Sequence, residues 1–112
     1  MPIPIATKAD FVNRVKTPAI DQLLIFHGNN SSSSTIKRYN VIALAAAGDA
    51  NKALQVCTVN IDALPLDPAD AATYQLGPNV ICCTTINDGV VMERVSNPFE
   101  PTLRQMVLNI LG

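Results

Sequence analysis

The order of apolar runs and chain-breaking residues predicts an α/β architecture in which a central mixed sheet of four or five strands is flanked by helices. Three observations lead there. Leu23, Leu24, Ile25 and Phe26 form an unbroken apolar run, as a strand covered on both faces requires. A helix-forming stretch separates that run from the alternating segment 53–61, so right-handed crossover makes the two strands parallel neighbours. Further on, two apolar runs flank Asn87, Asp88 and Gly89, the strongest short-range signal for an antiparallel hairpin.

Each element has its own local cause. Thr7 and Asp10 have capping-box spacing ahead of Phe11, Val12 and Val15, which predicts a short first helix broken at Thr17 and Pro18. Residues 3–6 are open to reading as an extra strand. A polar turn, His27 to Ser34, leads into a second helix rich in helix formers and closed by Gly48 in the C-terminal capping position. The strand over 53–61 is enriched in β-branched residues and ends at Asp62. Asp67 as N-cap, Pro68 at the first helical position and Asp70 start a short third helix, which Gly77 and Pro78 stop. The hairpin strands fall at 80–86 and 90–95. Phe99, Leu103, Met106, Val107, Ile110 and Leu111 recur at helical spacing and predict a closing helix with one apolar stripe.

Composition narrows the function classes. A chain of 112 residues fits one domain over residues 1–112 with a core that needs no disulfide or metal staple. Eight basic against nine acidic residues, a net charge of −1, leave no positive field to neutralise phosphates, so nucleic acid is an unsuitable partner. The N-terminal residues lack the charge and apolar pattern of a leader, and no run reaches membrane-spanning length. Cys57, Cys82 and Cys83 are an odd set inside apolar segments, and neighbours on a strand face opposite ways. They are expected as buried, reduced thiols of a cytoplasmic protein, without metal-ligand spacing and with no cofactor. Two overlapping glycosylation acceptors begin at Asn29 and Asn30, and act only on a chain in the secretory route.

With these elements in order, the chain resembles the thioredoxin family over nearly its whole length. Val59, Asn60, Ile61 and Asp62 resemble its second central strand, and Asn87, Asp88 and Gly89 its hairpin turn. Placing Leu24, Ile25 and Phe26 on the family's central strand sets Ser31, Ser32, Ser33 and Ser34 on its Cys-Gly-Pro-Cys turn without a gap. Ser31 and Ser34 then stand at the two sulfurs. The resemblance also puts Ile25 at the family's buried aspartate, Thr58 at its partner lysine and Asn30 at its active-site tryptophan. The family's cis-proline aligns near Val80 or Ile81, with Pro78 two or three residues early, so a trans peptide and a reshaped groove are expected.

Dithiol exchange needs a low-pKa thiolate at a helix N-terminus and a second thiol three residues on. Serine supplies neither, so no catalytic residue is assigned and no oxidoreductase activity is expected. The same serines suit N-capping of the second helix. Lone His27 lacks an acidic partner nearby in sequence and makes no triad with Ser31. The resemblance leaves a binding or scaffold module for protein or peptide, with Asn30, Ser31, Ser34, Val80 and Ile81 as its candidate groove. Residues 31–38 are also similar to the serine-rich start of zeta-type glutathione transferases, which would bind glutathione through Ser31. A structural or assembly subunit, including a homodimer through the last apolar stripe, is the third alternative.

Overall fold

The computed structural model describes residues 2–77 and 81–112. Five residues in succession, Gln22 to Phe26, are buried, which requires their strand to have neighbours on both edges and cover on both faces. β2 (Asp21–His27) accordingly lies at the middle of a five-stranded sheet. β3 (Gln55–Asn60) pairs parallel to it on one side, and β4 (Cys82–Asn87) antiparallel on the other. β1 (Ile3–Ile5) extends the sheet beyond β3, and β5 (Val90–Ser96) extends it beyond β4. The order β1-β3-β2-β4-β5 realises the mixed sheet expected from the sequence, with the extra N-terminal strand included.

The helices split between the two faces. α2 (Ser33–Asp49) and α4 (Glu100–Leu111) bury Ile42, Ala43, Leu103 and Val107 against Leu23, Ile25 and Val56. On the other face, α1 (Lys8–Phe11) and α3 (Pro68–Tyr74) bring Phe11 and Tyr74 onto Leu24, Phe26 and Val59, the two rings meeting edge to face at 5.5 Å. Alternation along β2 thus feeds two cores from one strand. Cys82 joins one core and Cys83 the other.

Several local expectations hold and others shift. Thr7 Oγ1 accepts from the Asp10 amide at 3.1 Å, but α1 continues as a π-helical turn, Val12–Lys16, before the break at Thr17. Asp88 and Gly89, with φ of 50° and 77°, form the two-residue turn between Asn87 and Val90. β3 begins at Gln55 and β4 at Cys82, each two residues inside the predicted run.

Two expectations are corrected. Gly48 lies within α2 rather than closing it. Asn51, at φ 55°, takes the left-handed position, while Lys52 N donates to Ala47 O and Asn51 N to Gly48 O, both at 3.0 Å. These two bonds form a Schellman closure, and asparagine is among the few residues that tolerate this backbone. Phe99 is absent from the stripe of α4: it precedes the helix with extended backbone, so helical spacing does not carry it inward, and it is 82% exposed.

Replacing Asn51 separates these accounts of the α2 terminus. Asn51→Val is expected to lose about 1–2 kcal/mol through left-handed strain, and Asn51→Gly to be neutral or slightly stabilising. Urea denaturation of both variants measures the difference; equal loss in both contradicts the closure at Asn51.

Candidate functional site

Strands β2 and β3 lie side by side, but the chain leaves β2 for α2 on one face and leaves β3 for α3 on the other. Adjacent carboxyl ends whose connections diverge open a crevice, the usual place for a site in an α/β sheet. The residues at these ends are His27 and Asn60, which are register partners. The antiparallel partner of β2 brings a third segment to the same end, because Phe26 pairs with Cys82 and Ile81 precedes it. Topology therefore gathers the 28–34 turn, the 61–62 corner and Ile81 at one end of the sheet.

The crevice is tied shut by side chains of its own. Asp62 Oδ2 accepts from Asn29 N at 2.7 Å, Asn60 Nδ2 donates to Asn29 Oδ1 at 2.9 Å, and Asn60 Oδ1 accepts from Asp62 N at 3.0 Å. Ile61 N adds a main-chain bond to His27 O at 2.8 Å. Gly28 is required by this clasp, since a Cβ there would come within 2.8 Å of Asp62 Oδ2. Asn60 and Asp62 were not among the predicted site residues. Their signal in the sequence is a polar pair ending an apolar strand, which by itself also describes an ordinary strand terminus.

The serines divide into distinct roles. Ser31 stands before the helix, half-buried, and its Oγ accepts from Gly28 N at 2.9 Å. Ser32 is the N-cap of α2, accepting from Thr35 N at 3.3 Å and meeting Ser34 Oγ at 2.9 Å. Ser33 and Ser34 lie in the first turn, exposed, as does Asn30 just before it. The capping role expected of the run thus falls to Ser32. His27 Nδ1 faces Gly28 O at 3.3 Å, and among the described residues no hydrogen bond joins it to Ser31.

Of the second wall, Val80 and Pro78 lie outside the described residues, as does the expectation about the peptide bond near them. Ile81 is 8% exposed, with its side chain in the core under α2 and α4. Both its main-chain groups are engaged by Asn97: Ile81 N donates to Asn97 Oδ1 at 3.2 Å, and Ile81 O accepts from Asn97 N at 2.7 Å. Asn97 takes φ of 46° to do so. It too was missed, since an asparagine before proline reads as a plain turn.

No thiol is exposed at this end, although Cys82 adjoins Ile81 there. Cys57, Cys82 and Cys83 are fully buried, and desolvation pushes the Cys57 and Cys83 thiols above their ordinary ionisation range. Beneath α2, Ile25 and Thr58 are cross-strand partners on the same face, with Ile25 fully buried. Among the described residues, no helix is long and apolar enough to cross a membrane.

A central mixed sheet with one helix pair on each face, and a turn leading from the middle strand into the long second helix, makes this a thioredoxin-like fold. The chain is similar to the X-ray structure of a thioredoxin from Fasciola hepatica, with a TM-score of 0.64 and 19% identity, over 96% of this chain and 97% of that one. No protein-family model and no curated protein matches the chain.

Two outcomes follow from this geometry. Gly28→Ala is expected to cost about 1–3 kcal/mol by pushing the Asp62 carboxylate off the Asn29 amide. Asp62→Ala on that background should recover part of the loss, and a double-mutant cycle without coupling contradicts the clasp. The buried Cys57 and Cys83 keep their protons beyond the pH at which an unfolded chain releases them, so ionisation favours unfolding. The contribution of these two thiols to stability is therefore level below about pH 8.5 and falls above it. Denaturation midpoints across that range provide the measurement, and a Cys83→Ala variant should flatten the decline.

Proposed function

We propose that this chain is a redox-inactive thioredoxin-like module that binds protein or peptide with the end of the sheet formed by the 28–34 turn and the loop ahead of β4. One observation carries the reading: hydroxyls line the N-terminus of the helix that follows the middle strand, while all three thiols are buried in the cores. The sequence resemblance sets Ser31, Ser32, Ser33 and Ser34 where the resembled family has Cys-Gly-Pro-Cys. A serine alcohol neither ionises near neutral pH nor exchanges with a disulfide. Ile25 and Thr58, at the places of the family's aspartate and lysine, supply no proton relay.

In this reading Asn30 and Ser34 are the exposed contacts, Ser31 sets the turn, and Ile81 is the buried base beneath the proposed second wall at Val80. Asn97 already engages both main-chain groups of Ile81, so Ile81 does not offer them to a guest. The buried reduced thiols accord with residence in the cytoplasm. A glutathione site at Ser31 competes with the bond that its hydroxyl already makes to Gly28 N.

Insulin-disulfide reduction by the purified protein is expected to stay at the level of dithiothreitol alone, and turnover above it overturns the redox assignment. Calorimetry with millimolar glutathione should give no saturable heat. A protein partner recovered by affinity capture should be lost when Asn30 and Val80 are both replaced by glutamate; retention of full binding excludes this end of the sheet.

A further inference from the structure

A groove of about 610 Å³ lies between β5 and α4, away from the turn. Val95 and Met106 line it with Glu93 and Arg94 from the strand and Gln105 and Asn109 from the helix. Among the described residues, β5 is the outer strand on this side and pairs only with β4. Along its other edge, alternate N–H and C=O groups face outward without strand partners, a template for one more strand. The bulge beside Met92 ends before Glu93, and the stretch from Glu93 to Ser96 keeps regular pairing with β4.

Charge decides what fits there. The Arg94 guanidinium is committed to the end of α3, donating to Ala72 O at 2.7 Å and Gln75 O at 3.5 Å. Glu93 is held from α4 by a short relay: Gln105 Nε2 donates to Asn109 Oδ1 at 2.7 Å, and Asn109 Nδ2 donates to Glu93 Oε1 at 3.4 Å. The other carboxylate oxygen, Oε2, is buried with no hydrogen-bond partner among the described residues, and so is Oγ1 of Thr85, the cross-strand partner of Glu93. A carboxylate only accepts hydrogen bonds, so a guest that draws Glu93 round toward the groove and satisfies Oε2 must donate, and a cationic donor does so best.

We propose that the groove takes an extended peptide that adds to β5 as a sixth strand and sets a lysine or arginine side chain against Glu93. Main-chain pairing supplies affinity, and the carboxylate supplies selectivity for a basic guest. A second copy of this chain is a poorer occupant. Paired edge to edge about a twofold axis, it would bring its own Glu93 and Val95 to this face and keep its Arg94 on the other.

Amide chemical-shift titration of the full chain with two acetylated nine-residue probes tests the proposal. Both probes alternate threonine and valine, with arginine at the centre of one and glutamate at the centre of the other. The arginine probe is expected to shift residues 91–96 and 102–109 and to bind about tenfold more tightly than the glutamate probe. Glu93→Gln should remove most of that difference while the fold, judged by its unperturbed spectrum elsewhere, is kept. N-methylation of alternate probe residues on the pairing edge should abolish binding. Equal affinity for the two probes, no saturable shift at millimolar probe, shifts confined to residues 28–34, or a β5-mediated dimer in sedimentation equilibrium would each overturn it.

Discussion

The rest of the molecule depends on the burial of β2. A strand with no exposed face and no exposed edge cannot be stable alone, so it demands strands on both sides and a helical layer above and below. Even its polar residue is enclosed: Gln22 Nε2 donates to Val15 O at 3.2 Å, and its Oε1 accepts from Gln55 Nε2 at 3.1 Å. That pair ties the π-helical turn after α1 to both central parallel strands. Replacement of either glutamine would leave a buried polar atom without its partner, which costs more than the bond itself contributes.

The same arrangement determines what the divergent end of the sheet can do. In a fold of this kind, the amides of a helix N-terminus and the crevice between parting strands are available for chemistry or binding. Here the N-terminus is capped by Ser32, and the crevice is closed by Asn29, Asn60 and Asp62. Asn30, Ser33 and Ser34 stand exposed there, neutral and short, beside the exposed Asp62 carboxylate that accepts from Asn29 N.

The fold was legible because its strongest signals are local. The apolar run of β2, the Asp88 and Gly89 turn, and Pro68 at the first turn of α3 each name an element without reference to the rest. Boundaries were less legible where two residues compete for one role, as Gly48 and Asn51 do at the end of α2. Glycine is the commoner choice for a left-handed closure, but register within the helix, and not residue type alone, decides which residue arrives at that position. Phe99 misled for a related reason: its spacing fits the stripe, but the stripe begins after it. The clasp of Asp62 on Gly28 and the bonding of Asn97 to Ile81 span 34 and 16 residues, the first counted from position 28 to 62. Contacts between residues so separated leave no periodic trace in a single sequence. Placement of the serines was readable, whereas the partition of roles among them needed the hydrogen-bond geometry.

Cys82 and Cys83 are neighbours in the chain, but each is enclosed in a different core, on opposite faces of β4. The chain thus carries an intrinsic pair of reporters a single peptide unit apart. A pulse of alkylating reagent, followed by mass-spectrometric assignment of which sulfur was modified first, distinguishes a molecule whose two layers open in concert from one that sheds one layer ahead of the other.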